Sequence, residues 1–465
     1  MENVMEKIVS LCKRRGFVYP NSEIYGGIAG FYDMGPMGHL LRQNMKKLFW
    51  EFMLVDHENI FPIDGTIITH PKVWEASGHV GSFADAMVES VGGPMGNKRY
   101  RADHLIEEMY SPEELASADA AAKKEGISVI EAYSKLLKGK KAPDGGILGE
   151  VKKFSLMVET SLGVVEGDKK SAYLKGEACQ TIYLDYQNVL DSMHPKIPFG
   201  IAQIGKAFRN EVANPQFMLR LKEFEQWDMQ FFVNPKAMDT WYEYWKEQRM
   251  NWYRSLFNDK DNLRFRQHRD DELAHYAKKA FDIEYKTPMG WKEGEGIHWR
   301  GDWDLSRHGQ YSGHDFTYTD LETGEKFIPW IVETSGGVDR TFLFLLLDAY
   351  REEGERIYLK LHPRLSPYTV AVFPLVRNKP EITAKAQEVY KHLKLTLKLS
   401  TAWDDRGNIG KRYYAQDEIG TPWCITIDYD TLESDTVTVR DRDTTKQERV
   451  SIEQLKAYIE SKLMI

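Results

Sequence analysis

The chain has 465 residues, of which 42% are hydrophobic and 28% charged, and its formal net charge is −8. That balance excludes a disordered or fibrous chain, and the length allows roughly two to four domains. It also excludes a global basic field, so any nucleic-acid binding has to come from local patches and shape.

The first stretch, MENVMEKIVSLCKRRGF, lacks a signal-like apolar core, and no apolar run is long enough to span a bilayer. Cys12, Cys179 and Cys424 form no close pair, which argues against a disulfide framework or a zinc site. A soluble cytoplasmic protein with no membrane partner is expected.

In chain order, the first predicted element is a helix from Gly38 to Val55. Leu40, Leu41, Met45, Leu48, Phe49, Phe52 and Met53 give it a broad apolar face. That face could form a subunit interface or a monomer core. Composition shifts over residues 88–170, with the helix-like EELASADAAAKKEG and the turn-rich KGKKAPDGG, as in an insertion or arm. Residues 171–360 mix long strands with helices. HPRLSP then marks the entry to a last unit, residues 361–465.

In that unit TVAVFPL, LKLSTAW, WCITIDY and TVTVRDRD read as strands. Helices are expected from Glu381 to about Leu395 and near Gly410 to Glu418. A capping box at Ser451 and Gln454 is expected to open the final helix. The alternation is that of an α/β domain. It contains no G-x-G-x-x-G, and Gly407-Asn-Ile-Gly410-Lys411 is too short for a phosphate loop. The chemistry is therefore expected elsewhere.

Two stretches carry it. The first is Phe208 to Phe232, a predicted hairpin with its loop at Asn214-Pro215. In its second strand Trp227, Met229 and Phe231 fall on one face, as core. Lys222, Phe224, Gln226 and Asp228 fall on the other, with Arg220 at the same parity and roughly 13 Å from Phe224. In the first strand Arg209 and Glu211 share a face. Two arginines, a carboxylate and a ring can cradle a polyphosphate and stack a base. The same face could equally be solvated and laced with ion pairs. The second stretch is a strand from Phe327 to Ser335, turning at Gly336-Gly337 into an apolar helix through Tyr350. It delivers Glu333 and Ser335 at the strand end and Arg340 in the first helical turn. Such convergence suits a ligand site, although glycine pairs also serve as plain turns.

Together these strings resemble the class II aminoacyl-tRNA synthetases. Phe208-Arg209-Asn210-Glu211 with Arg220 and Phe224 resembles motif 2, and Glu333-x-Ser335-x-Gly337-x-x-Arg340 resembles motif 3. Ser22 to Trp50, His70 to Asp85, Lys98 to Glu108, Gly290 to Leu305 and the tail strings DRGNIGKRYYAQDEIGTP and DTVTVRDRDT are similar to the dimeric glycyl-tRNA synthetase group, nearly end to end.

The resemblance implies an α+β fold: a catalytic domain built on an antiparallel β-sheet flanked by helices, plus a C-terminal α/β anticodon-binding domain. It implies residues 1–87 as the motif 1 part of the catalytic domain, 88–170 as insertion, 171–360 as catalytic core and 361–465 as anticodon domain. It implies a homodimer that charges tRNA(Gly) with glycine, using ATP and Mg2+. By that resemblance Arg209 holds the α-phosphate and the reacting carboxylate, with Asn210 beside it. Arg220 holds the γ-phosphate, Phe224 and Arg340 sandwich the adenine, Glu211 contacts its edge, and Glu293 meets the metal. Glu177, Asp228, Glu333 and Ser335 meet glycine. Arg406, Lys411, Arg412, Arg440 and Arg442 are candidate RNA contacts or surface charge.

Four departures stand out. The group has Glu at Asp228, Pro and Phe at Thr334 and Gly336, and Arg-Pro-Glu-Thr at Lys175 to Ala178. Some members carry Cys-x-x-Cys near Ala142 to Gly145, and its absence here implies no structural zinc. Two competing readings remain at this point: a non-catalytic synthetase-like subunit, and a synthetase for another small amino acid.

Overall fold

A computed structural model describes residues 4–463, apart from 94–97, 112–113, 115–126, 164–168, 212–215, 270–272 and 274–277. The helix-like EELASADAAAKKEG and the Asn214-Pro215 loop thus lie almost wholly outside the described residues.

Helix α1 (Val4–Arg15) precedes α2 (Pro36–Leu54). Pro36 starts α2 two residues before the apolar pattern does, because its fixed φ suits a first turn and its missing N–H is not needed there. A Cβ at Gly38 would lie 1.9 Å from the Phe17 carbonyl oxygen, so only glycine lets the helix start rest on that backbone. The apolar face of α2 is buried against the chain's own core through Leu41, Met45, Phe49 and Met53.

The central sheet has seven strands. They are β1 (Ile60–Pro62), β2 (Phe199–Phe208), β3 (Glu223–Val233), β4 (Leu263–Gln267), β5 (Lys279–Thr287), β6 (Gly290–Gly301) and β7 (Trp330–Gly337). Their order is β4-β5-β6-β7-β3-β2-β1, antiparallel except where β1 runs beside β2. Alternation on β3 puts Trp227, Met229 and Phe231 into the main core. There they meet α2, α3 (Met238–Leu256) and α4 (Val338–Ala349). The opposite face is apolar only where Tyr186, Phe199, Phe232 and Ile331 cluster. Elsewhere it is polar and opens into a cleft.

Two expectations about strand extent are corrected. β2 ends at Phe208 and β3 begins at Glu223, so Arg209, Glu211 and Arg220 lie in the connecting loop and not on paired strands. Phe327 belongs to a short ribbon with Tyr318, because Pro329 interrupts the run before β7.

The insertion forms small three-stranded sheets. In one, Ala84–Val91 lies between Lys98–Arg101 and Ile147–Ser155. In the other, Lys170–Leu174 lies between Ile68–Thr69 and Val158–Leu162.

The C-terminal unit contains β8 (Val370–Pro374), α5 (Pro380–Lys391), β9 (Thr401–Trp403), α6 (Ile409–Ile419), β10 (Trp423–Ile427), β11 (Thr436–Asp441), β12 (Gln447–Ser451) and α7 (Leu455–Leu463). The sheet order is β9-β8-β10-β11-β12, parallel over the first three and antiparallel over the rest. Only the end of LKLSTAW is strand, since a wide helical turn over His392–Thr396 prolongs α5. Ser451 is the last residue of β12. Its carbonyl accepts from the Gln454 N–H in a turn before α7, in place of the expected capping box.

Arginines brace this unit internally, and Arg356 and Arg14 tie it to the core. Asp417 on α6 accepts from Arg356 Nε at 2.8 Å, and from Arg440 Nη1 and Nη2 at 2.9 and 3.0 Å. Arg442 donates to the Gly420 and Leu361 carbonyls, and Arg412 to the Gly407 carbonyl. Glu418 pairs with Arg14 of α1 at 3.0 Å. Arg412, Arg440 and Arg442 are only 2%, 6% and 2% exposed, so these three are structural and not RNA contacts. Arg406 and Lys411 are exposed. Among the described residues, no helix is long and apolar enough to cross a membrane.

Candidate active site

The loop between β2 and β3 and the ends of β3, β6 and β7 enclose a cleft of about 190 Å³. Arg209, Glu211, Arg220, Phe224, Glu293, Arg340, Glu177, Asp228, Glu333 and Ser335 all line it. Asn210 does not. It is exposed, and its N–H donates to the Leu156 carbonyl.

One end is cationic. The Arg209 guanidinium lies 5.3 Å from the Phe224 ring centre and 5.1 Å from that of Phe83, between two aromatic faces. Its Nε donates to the Gly176 carbonyl at 3.1 Å. Arg220 folds back on Glu211, with Nε 2.7 Å from Oε2, and its Nη2 is 3.7 Å from Asp85 Oδ2. Arg340, in the first turn of α4, donates to the Leu219 carbonyl and to Glu293 Oε2, at 3.0 and 3.2 Å.

The other end is acidic and follows from strand register. Asp228 on β3 stands opposite Ser335 on β7, and Gln230 stands opposite Glu333, which faces His298 on β6. Gln230 Nε2 donates to Asp228 Oδ1 and to Glu333 Oε1, at 2.5 and 2.9 Å. Its own oxygen accepts from the Tyr183 hydroxyl at 2.7 Å, which fixes the amide's orientation. Glu333 Oε2 lies 2.6 Å from His298 Nδ1, and both its oxygens are 3.0 Å from Arg300 Nη1. Asp304 holds Arg300 through two hydrogen bonds of 2.7 and 2.9 Å. Glu177 Oε1 accepts from the Cys179 thiol and from Gln180, each at 3.0 Å, and lies 3.2 Å from His79 Nε2.

These neighbours split the carboxylates. Burial and the adjacent Glu333 push the Asp228 carboxyl well above its ordinary range. Burial works the same way on Glu177, but His79 and Arg300 outweigh it and hold that carboxyl well below its usual range. Glu333 is likewise held low, burial being overcome by Arg300 and His298. In exchange Glu333 raises the His298 imidazole against its own burial. Ser335, opposite Asp228 in the register, and Gln230 both hydrogen-bond the Asp228 carboxyl and partly offset the rise. The arrangement is suited to an ammonium group at this end and an anion at the other.

Behind Ser335 the sheet presents its opposite face. There Gly336 stands between Trp227 and Glu295. A Cβ at 336 would lie 2.2 Å from Trp227 Nε1 and 2.6 Å from Glu295 Oε2. The indole thus fills the space next to the position where the related group carries Phe. Trp227 stacks on Phe49 of α2 at 5.5 Å and 10°, and donates to Glu295 at 2.9 Å. Glu295 is paired with the fully buried Arg249 of α3, at 2.5 and 2.8 Å. Lys175, where the group has Arg, is buried and donates to the Gly65 carbonyl at 3.1 Å.

Phe83, Asp85, His79, Cys179, Gln230, His298 and Arg300 were not assigned from sequence. Period-two spacing on β6 places His298 and Arg300 on one face and could have found both. Phe83, Asp85 and His79 come from the segment before the insertion and Cys179 from the residues after Glu177, and no local spacing brings them to the cleft.

The profile for "tRNA synthetase class II core domain (G, H, P, S and T)" matches residues 163–350, and that for "Anticodon binding domain" matches residues 369–462. The chain is 44% identical over 468 residues to the glycine--tRNA ligase of Borreliella burgdorferi, covering 99% of this chain and 98% of that one. It is 45% identical to that of Treponema denticola, covering 99% and 97%. It is also 45% identical to that of Chlorobaculum tepidum, covering 99% and 100%. The sheet, the cleft and these matches agree, and the chain belongs to the glycine--tRNA ligase family of class II synthetases.

Proposed function

We propose that the cleft activates glycine with ATP and passes it to the 3′ end of tRNA(Gly). The observation that carries this is the cleft's polarity, with Arg209, Arg220 and Arg340 at one end and Glu177, Asp228 and Glu333 at the other. A glycine carboxylate oxygen attacks the α-phosphorus, and pyrophosphate leaves. A terminal ribose hydroxyl then attacks the glycyl carbonyl, and AMP leaves. Charge develops at phosphorus and is met by fixed guanidinium groups, so no general base is needed for the first step.

In this reading Arg209 spans the α-phosphate and the glycine carboxylate. Its place between Phe83 and Phe224 keeps it aimed with little freedom to lose. Arg220 takes the γ-phosphate, Phe224 and Arg340 sandwich the adenine, and Glu211 meets its edge. Glu293, a half-exposed hard oxygen donor beside Arg340, is the residue that would hold Mg2+, which supplies charge neutralisation on the phosphates. Glu177, Asp228, Glu333 and Ser335 hold the ammonium end. The proposal includes no structural zinc, since the Ala142 to Gly145 turn carries no thiol. Larger amino acids are excluded by size alone, which needs no editing site.

The C-terminal unit is proposed to read the anticodon, with exposed Arg406 and Lys411 as its contacts, and the insertion to approach the acceptor end. Exposed Ile24 and Tyr25, each 87% accessible, support a homodimer contact ahead of α2. Light scattering at micromolar concentration tests that, and a monomer refutes it. A cytoplasmic location fits this function.

ATP–pyrophosphate exchange with Mg2+ and each amino acid in turn tests the activation step. Exchange with glycine alone is expected. Equal exchange with alanine or serine, or none with glycine from folded protein, refutes the proposal.

A further inference from the structure

Excluding larger amino acids by size needs a wall, and the acidic end of the cleft has one that the ammonium does not use. Asp228 reaches the pocket from β3, and Glu333 and Ser335 from β7. The strand on the other side of β7 is β6, which supplies none of the four groups placed on the ammonium. What it presents beside them is the imidazole of His298, which lines the cleft.

That ring is fixed by three neighbours. Its Nδ1 lies 2.6 Å from Glu333 Oε2. Its edge lies over Gly296, where an added Cβ would stand 2.6 Å from Cε1 and 3.1 Å from Nε2, so the absence of a side chain at 296 is what lets the ring settle there. His268 packs edge-on against it, with ring centres 6.1 Å apart and planes at 87°, and is itself bonded to Asp282 at 2.8 Å. In the register His298 stands opposite Glu333 and Gly296 opposite Ser335, so the ring covers the β6 flank of both residues. An imidazole held in this way cannot retreat without losing a hydrogen bond to a carboxylate or moving a second ring. Glycine's α-hydrogens require no such movement, whereas a methyl on the α-carbon does. One methyl in such a pocket is worth roughly 10–200-fold.

We infer that His298, seated on Gly296, is the specificity-determining wall that keeps a side chain on the amino acid's α-carbon out of the pocket. It limits the shape of the substrate and takes no part in the chemistry at phosphorus. Gly296 sets how far the wall stands back, and a methyl there would drive the ring toward the substrate. The inference rests on the placing of glycine's ammonium at Glu333 and Ser335 proposed above.

ATP–pyrophosphate exchange by the full chain, with glycine and with L- and D-alanine in turn, is the test. Both enantiomers are used because the wall faces one of glycine's two α-hydrogens. The readout is kcat/KM for alanine over that for glycine, a ratio that a general loss of activity does not move. His298→Ala is expected to raise it by about tenfold or more for one enantiomer. His298→Asn, which keeps an amide donor and loses the ring, is expected to do the same, so that the gain follows the ring and not the hydrogen bond. Gly296→Ala is expected to raise the glycine KM more than the ATP KM, and that rise is expected to vanish in the Gly296→Ala/His298→Ala double variant. An unchanged ratio in both His298 variants, with thermal midpoints showing folded protein, overturns the inference. So does a Gly296→Ala effect that persists in the double variant. If neither His298 variant folds, Gly296→Ala alone decides, and an unchanged glycine KM overturns the inference. Wild-type protein that shows no exchange with glycine overturns instead the reading on which the inference rests.

Discussion

Gly336→Ala tests whether the indole of Trp227 fills the space behind the glycine pocket. The added Cβ would sit 2.2 Å from Trp227 Nε1, where an unstrained contact needs about 3.5 Å, so the ring has to move by about 1.3 Å. It cannot do so freely. Trp227 has no exposed surface, and its ring is stacked on Phe49 and hydrogen-bonded to Glu295. Overpacking of this kind costs about 1–3 kcal/mol, and losing a hydrogen bond to a charged acceptor adds about 1.5–3 kcal/mol. The expected destabilisation is about 3–5 kcal/mol, with the glycine KM rising more than the ATP KM because Ser335 is the adjacent residue. Trp227→Leu alone costs about 3–5 kcal/mol by opening a cavity. In that background the clash with the indole is gone and only that with Glu295 Oε2, at 2.6 Å, remains, so the double variant should be about 2 kcal/mol more stable than the two costs added together. Urea midpoints of the four proteins, compared at unchanged m, measure this. Strict additivity, or a Gly336→Ala variant within about 0.5 kcal/mol of the parent, refutes the reasoning.

Arg249→Met should cost about 3–5 kcal/mol, since it leaves Glu295 charged in the core, whereas adding Glu295→Met should recover most of that loss in urea unfolding. His308 is buried, and its imidazole is pushed down to about 4 by burial and by the nearby Arg300 and Arg307. A depressed histidine lets the unfolded chain take up a proton first. Stability present above pH 6.5 is therefore lost as pH falls toward 4, by about 3 kcal/mol, and His308→Gln should be flatter across that window by the same amount. Arg440→Met should lower the thermal midpoint by leaving Asp417 under-paired. Lys411→Ala should leave the midpoint unchanged and reduce the salt slope of tRNA binding by about 0.7.

What the sequence disclosed is unevenly distributed, for physical reasons. As residues that line the cleft, Arg209, Arg220, Phe224, Glu333 and Arg340 were legible because they sit at fixed offsets around two turns. The core face of β3 was legible because alternation alone separates Trp227, Met229 and Phe231 from Phe224, Gln226 and Asp228. Strand ends were not, since pairing stops where a loop folds back, as Arg220 does onto Glu211. Burial of charge was also hidden. Arg412, Arg440 and Arg442 look like an RNA-facing run until Asp417 and the carbonyls of Gly407, Gly420 and Leu361 are brought to them. Gln230 reads as an ordinary core-flanking amide, and only cross-strand register shows it holding two acidic groups at once.

The arginine bonding between the C-terminal unit and the core bears on how such a chain can be cut and recombined. Asp417 lies on one side of any cut near residue 361 and Arg356 on the other, and the two are bonded at 2.8 Å out of water. A catalytic fragment ending there would expose Leu359 and Leu361 and leave Arg356 with only Glu353 in place of its buried partner Asp417. A grafted anticodon module from a relative would have to bring an acid at the place of Asp417 and an arginine at the place of Arg442. Recombination at this border is therefore governed by a few matched charges, and chimeras chosen to preserve them should be recovered soluble far more often than chimeras chosen by overall identity.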